Sequence, residues 1–175
     1  MSLTIPVGPD DHVQGAAGAP VTLVEYGDFE CSYCGAAHPV IKAAQAHMGE
    51  RLRFVFRNFP LTQIHRHAGA AAAIAEAAGA AGVFWSMHDM LFENQRHLHD
   101  SELIGYAAKL GIAEADAIAA LEGRFNARIQ ASFMGGVRGG VNGTPTLFIN
   151  GERYDGPREV EPLVSALEAA AIASM

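Results

Sequence analysis

Three features of the chain point to an α/β fold with a mixed central sheet and an inserted all-α block. A strand, a helix and a second strand follow one another over residues 21–59. A long helical stretch occupies residues 64–140. A strand, a two-residue turn, a returning strand and a helix close the chain.

Residues 1–20 are rich in Gly, Pro, Ala and Asp and read as an extended lead-in. Val21-Thr22-Leu23-Val24-Glu25-Tyr26 is a β-rich run between Pro20 and Gly27, suited to a buried strand. From Cys31 to about Met48 the pattern is helical, with Val40, Ile41 and Ala44 at helical spacing and Gly49 as the stop. Arg51 to Phe59 places Leu52, Phe54 and Phe56 on one face of a second strand. Two strands joined by a helix predict a parallel βαβ unit.

His65 to Ala81 is dense in alanine, the strongest helix former. Val83 to Gln95 carries Phe84, Met87, Met90 and Leu91 at helical spacing, and Asp100-Ser101 is a cap for a helix reaching Leu110. Further helices are expected over Ala113 to Leu121 and Phe125 to Val137. Thr146-Leu147-Phe148-Ile149 is a short apolar strand, and Asn150-Gly151 is a strong hairpin signal before Glu152-Arg153-Tyr154. Pro162 suits the first turn of a last helix with Leu163, Val164, Leu167, Ala170 and Ala171 on its apolar face. The expected division is a sheet domain from 21–63 and 141–175, with 64–140 as the helical insertion.

A chain of 175 residues, half of them apolar, is long enough for one ordinary core. The 12 basic residues are scattered among 19 acidic ones, a net charge of −7 that disfavours nucleic acid and anionic membrane surfaces as partners. The first 20 residues have neither a basic n-region nor an apolar h-region, so the sequence as it stands predicts a cytoplasmic protein, or an extracytoplasmic one if a leader has been removed. No dimerisation segment is evident, and a monomer is expected.

The two cysteines are Cys31 and Cys34. Two cannot make a disulfide scaffold, nor a four-ligand zinc site without histidine partners. The pairs His65/His67 and His97/His99 have i,i+2 spacing, which on a helix puts the members on different faces, and no metal site is expected. Cys-x-x-Cys at a strand-to-helix junction suits redox chemistry instead. A sulfur at a helix N-terminus faces free N–H groups and the positive end of the dipole, which lowers its pKa. Cys31 is then the nucleophile and Cys34, one turn in and shielded, the resolving thiol.

Gly143-Thr144-Pro145-Thr146 puts a proline directly before a buried strand. A cis Thr144–Pro145 bond there turns the chain sharply and opens the backbone of Thr144 to an extended substrate.

Together these segments resemble the DsbA-like branch of the thioredoxin superfamily. Glu25-Tyr26-Gly27-Asp28-Phe29-Glu30-Cys31-Ser32-Tyr33-Cys34 is similar to its active-site segment, Gly143–Thr146 to its cis-proline loop, and Phe84–Phe92 to its helical insertion. The resemblance runs over about residues 12–172. It implies a thioredoxin fold and thiol–disulfide exchange with protein, peptide or small-molecule disulfides. It also implies a redox recycling partner and no cofactor beyond the Cys31–Cys34 disulfide. It further implies that Glu25, near the resolving cysteine, takes its proton. Tyr33, between the cysteines, is expected to face substrate, with Ser32, Phe29 and Thr144 as the other candidate binding residues; core packing is the competing expectation for Tyr26 and Phe29. Strongly oxidising members carry Pro-His where this chain has Ser32-Tyr33, so a less depressed Cys31 pKa is expected. Glu30 raises that pKa further if its carboxylate points at the sulfur. The competing readings are a non-catalytic binding or chaperone module and a glutathione-dependent isomerase of the kappa-class type. Isomerases of that branch typically lack the second cysteine.

Overall fold

The chain is represented by a computed structural model that describes residues 2–174. Its centre is a pair of parallel strands, β2 (Val21–Gly27) and β3 (Leu52–Asn58), joined by α1 (Ser32–Met48). Both strands alternate between two apolar layers. Leu23, Phe54 and Phe56 face one cluster, and Val24, Tyr26 and Val55 face the other. In α1 the buried positions Cys34, Ala37, Ile41, Ala44 and Met48 recur every three or four residues, so one stripe seals the helix onto the first layer.

β4 (Thr146–Ile149) adds antiparallel to the other edge of β2 and turns into β5 (Glu152–Tyr154). Asn150 and Gly151 both take positive φ, 48° and 88°, the conformation this hairpin turn requires. α7 (Val160–Ala173) packs against α1 through Leu163, Leu167 and Ala171.

Between β3 and β4 lie α2 (Ala68–Ala80), α3 (Phe84–Glu93), α4 (Asp100–Lys109), α5 (Glu114–Ala119) and α6 (Asn126–Arg138). They share a core with the sheet. Met87, Leu91 and Phe92 of α3 belong to the same buried cluster as Phe54 and Phe56 of β3. Small side chains let α2 run through the middle, with Ala71, Ala72, Ala75 and Ala78 buried.

Three expectations need correction. The lead-in is not merely extended: His12–Gln14 forms β1, antiparallel to β3 with His12 opposite Phe56, so the sheet order is β1-β3-β2-β4-β5. His-Val-Gln carries no alternating apolar signal, and tertiary contacts specify this strand. Second, α2 begins at Ala68 rather than His65, because His65 and the amide of His67 are drawn off to side chains elsewhere. Third, α4 begins one residue earlier than a cap at Asp100-Ser101: Asp100 is already in its first turn and Glu102 accepts the His99 N–H at 3.0 Å.

The N-terminal segment is fastened by Arg57, a buried cation on β3. Its Nε and Nη2 donate to the Asp11 carboxylate at 2.7 and 2.8 Å, Nη1 to the Ile5 carbonyl and the Tyr26 hydroxyl, and Nη2 also to the Pro6 carbonyl. Removing one partner leaves the other charge buried and unpaired. Asp11→Ala is expected to cost about 3 kcal/mol by urea denaturation and to expose residues 2–14 to limited proteolysis; an unchanged midpoint contradicts this account.

Candidate active site

The loop Asp28-Phe29-Glu30 carries the chain from β2 into α1, and Asp28 shapes it. The Cys31 N–H donates to the Asp28 carbonyl at 3.1 Å, and the Asp28 N–H reaches Cys34 Sγ at 3.5 Å. The fully buried Asp28 carboxylate accepts from the Glu30 N–H at 2.8 Å, the Leu61 N–H at 2.8 Å and His65 Nδ1 at 2.7 Å. Each oxygen is satisfied by a donor that the fold brings to it.

Both cysteines are free thiols at the start of α1. Cys31 keeps 4% exposure and Cys34 none. The Thr144–Pro145 peptide is cis, as the sequence predicts, and Cys31 Sγ donates to the Thr144 carbonyl at 3.5 Å. The two thiols are driven in opposite directions. Cys31 falls to about 5, chiefly because the Cys34 thiol hydrogen-bonds to it; Thr144 and the amides of Cys34 and Tyr33 add to this against a smaller burial effect. The Thr144 hydroxyl is buried without another partner, which leaves it for the thiolate. Burial pushes Cys34 far up, and its bond to Cys31 and the charge of Glu25 push the same way.

Glu25 lies on β2 between Phe56 of β3 and Leu147 of β4. It is buried, and its Oε1 has no hydrogen-bond partner. Burial first, then the charge of Cys31, raises it to about 8, with Arg158 opposing. Arg158 also donates from Nη2 to the Pro145 carbonyl at 3.2 Å.

Around the thiols, Tyr33 is 70% exposed and Ser32 is exposed beside it. Phe29, a candidate substrate contact, is 1% exposed. It packs against Phe56 and Phe92 at ring distances of 5.0 and 4.9 Å, so it lies beneath the site rather than on it. Tyr26 is likewise core, on the opposite layer of the sheet. Glu30 does not aim at the sulfur: its Oε2 accepts the His67 N–H just ahead of α2. Phe133 stacks on Phe59 at 4.2 Å, while Met134 is partly exposed.

Sequence reasoning missed Asp28, His65, Arg158 and Gln95. Gln95, just beyond α3, donates from Nε2 to the carbonyls of Phe29 and Cys31 at 2.8 and 2.9 Å. Gly35 makes room for it, since a Cβ there would stand 2.0 Å from Gln95 Oε1. The glycine directly after Cys-x-x-Cys was the available signal, a mark of close approach.

One set of side chains could hold a metal. His38, His88 and Asp89 have ligand atoms within 4.8 Å of one another, between α1 and α3. Asp89 is held by contacts of its own, while His88 Nε2 is buried without a hydrogen-bond partner. His88 Nδ1 donates to Asp89 Oδ1 at 2.9 Å and Lys42 Nζ to Asp89 Oδ2 at 2.7 Å, so the carboxylate already has a donor on each oxygen. Burial keeps His88 neutral, down at about 4. We read the group as a polar tie between two helices.

Two predictions follow from this geometry. Gly35→Ala should displace the Gln95 amide and cost about 2 kcal/mol through its two lost hydrogen bonds, whereas Gly35→Ala combined with Gln95→Ala should cost no more than Gln95→Ala alone. Additive costs in a double-mutant cycle by urea melts would refute the coupling. Folded Glu25 holds its proton up to about pH 8, and the unfolded group loses it near its ordinary value. Glu25 therefore takes stability away as pH rises through that window. Relative to the parent, Glu25→Gln should gain on the order of 4 kcal/mol between pH 5 and pH 8.5 under reducing conditions; parallel pH profiles would contradict the buried, protonated acid.

Comparison with known proteins agrees with this arrangement. Residues 8–169 match the family profile described as Thioredoxin. Among solved structures, BdbD from Bacillus subtilis superposes with a TM-score of 0.83 at 21% identity, covering 91% of this chain and 92% of its own. A thioredoxin-like oxidoreductase from Silicibacter pomeroyi gives 0.81 at 24%, with 93% of each chain covered. Alpha-DsbA1 of Wolbachia pipientis gives 0.83 at 17%, with 98% and 96% covered. Among curated proteins, a segment of the Na(+)/H(+) antiporter NhaA 1 of Salinispora arenicola is 44% identical over 172 residues, 97% of this chain and 26% of that protein. The NhaA antiporter of Herminiimonas arsenicoxydans is 39% identical over 176 residues, 97% and 27%. The chain thus spans about a quarter of the length of these curated relatives. A matching profile over most of the chain makes this protein a member of the thioredoxin family, carrying a strand-to-helix Cys-x-x-Cys that faces a cis Thr–Pro loop on a fold shared with DsbA proteins.

Proposed function

We propose that the protein is a thiol–disulfide oxidoreductase acting on protein or peptide disulfides through Cys31. The carrying observation is the pair of free thiols at the start of α1, with Cys31 Sγ against the Thr144 carbonyl of the cis Thr144–Pro145 peptide, a placement that lowers Cys31 and raises Cys34. The Cys31 thiolate attacks a substrate disulfide, forming a Cys31–substrate bond and releasing one substrate thiolate. Once Cys31 is bound to substrate, its charge no longer helps hold the proton on Glu25, so Glu25 releases that proton more readily and its carboxylate takes the one on Cys34. The Cys34 sulfur attacks Cys31, closing the Cys31–Cys34 disulfide and freeing the second substrate thiolate. Two electrons have passed to the substrate, and the reverse sequence oxidises a dithiol. Thr144 and Pro145 offer backbone beside Cys31 for an extended substrate, and the exposed Ser32 and Tyr33 flank it. A second redox protein restores the starting state, and no cofactor takes part.

Free Cys34 favours this reading over a glutathione-dependent isomerase, and the lowered Cys31 favours it over a non-catalytic binding module. No helix of the described residues is long and apolar enough to cross a membrane, and the ion transport named for the antiporter relatives is not part of the proposal.

Cys31→Ser is expected to abolish insulin reduction in the presence of dithiothreitol, and Cys34→Ser to accumulate a mixed disulfide with a peptide disulfide, seen by mass spectrometry. Turnover surviving in Cys31→Ser sinks the proposal. A Cys31 value near 5 lies between roughly 7 for thioredoxin and 3.5 for DsbA. The couple should therefore equilibrate with glutathione between about −270 and −120 mV; a potential outside that interval would contradict the link between thiolate stability and redox poise.

A further inference from the structure

The dipeptide between the cysteines, Ser32-Tyr33, brings no positive charge to Cys31. The fold brings a histidine from another segment. His65 lies in the turn between β3 and α2, with Nδ1 bound to Asp28 Oδ2 at 2.7 Å. The same Asp28 holds the Cys31 N–H on its carbonyl and touches Cys34 Sγ through its own N–H. The imidazole, the Cys31 backbone and the Cys34 thiol thus hang on one residue whose carboxylate is fully buried. The Leu61 N–H on that carboxylate fixes the turn from which His65 projects.

We propose that His65, anchored by Asp28, is a positioning residue of the redox site, supplying an imidazolium that stabilises the Cys31 thiolate and making the reactivity of Cys31 depend on its own protonation. This rests on the reading of Cys31 as the attacking thiol. The titratable groups that act on His65 are Asp28 and Glu30 on the β2–α1 loop and Cys31 on α1, all favouring its charge. Burial opposes the cation, but the Asp28 hydrogen bond and charge outweigh it, so His65 keeps its proton above its ordinary value. Since Cys31 ionises near 5, a thiolate–imidazolium pair exists between that pH and the point where His65 deprotonates. At higher pH the thiolate loses this partner.

The test is the pH dependence of iodoacetamide alkylation, read at Cys31 by mass spectrometry, in the reduced full chain and in His65→Gln and His65→Lys. Gln can keep a hydrogen bond to Asp28 without charge, and Lys restores a cation. His65→Gln should move the Cys31 midpoint upward by about half to one unit, so roughly three- to tenfold less thiolate on the acid side of the curve. His65→Lys should bring the midpoint back toward the parent value. A His65→Gln profile that coincides with the parent overturns the proposal, as does an equal shift in both variants, the mark of a merely structural role. Should either variant fail to fold, NMR titration of the His65 ring decides. Its midpoint must fall in Cys31→Ser, because the coupling is reciprocal, and an unchanged midpoint overturns the proposal. Alkylation needs no turnover, so the two readings fail separately. A chain inactive in disulfide exchange that still shows the shift loses the proposed function alone, whereas an active chain without the shift loses only the role of His65.

Discussion

Desolvation beneath the first turn of α1 is the constraint on which the rest of the site depends. Cys34 and Glu25 are shut away from water between β2, the Thr144–Pro145 loop and the aromatic layer of Phe29, Phe56 and Phe92. Neither carries charge there without a large penalty, so each keeps its proton. Of these two and Cys31, negative charge is favoured at Cys31, which borders solvent and receives the Cys34 thiol and two backbone amides as donors. The low dielectric that suppresses ionisation at Cys34 strengthens those hydrogen bonds to Cys31. One physical cause thus separates two chemically identical side chains three residues apart.

Such a difference requires geometry held to a fraction of an ångström, and polar groups from distant segments supply it. Asp28 ties the β2–α1 loop to Leu61 and His65. Gln95 crosses from the end of α3 to the carbonyls of Phe29 and Cys31, and Arg158 reaches the Pro145 carbonyl from ahead of α7. Every one of these bonds joins the redox loop to a part of the chain at least 13 residues away. The helical insert is therefore more than a cover, since α3 supplies Phe92 to the aromatic floor and the approach of Gln95. At the far edge of the sheet, Glu76 of α2 accepts from His12, Asn58 and Arg128, joining β1, β3 and α6 around one buried carboxylate. Arg57 performs a similar office for residues 5–11. The sheet edge is closed by charge pairing where a three-residue strand could bury little apolar surface.

The chain is similar in sequence to segments that make up about a quarter of the length of much larger antiporters. With the DsbA structures it shares the sheet and its helical insert, and its chemistry rests on its own two thiols.

Periodicity and motif were enough to read most of the architecture and both thiols from the sequence. The alternation in Leu52–Phe56, the stripe from Cys34 to Met48 and the Asn150-Gly151 turn are local signals, each tied to the repeat of one element. Cys-x-x-Cys and Thr-Pro are local as well, and their spacing carries their chemistry. The sequence could not show that His12–Gln14 pairs with β3, that Phe29 turns inward, that Glu30 points to α2, or that Asp28 gathers Leu61 and His65. Those outcomes depend on partners 27 to 63 residues distant and on which atoms are left without water. By itself the sequence determined which residues can react. Only the tertiary structure decided which of them is charged, because a pKa is set by burial and by neighbours that the chain order does not place side by side.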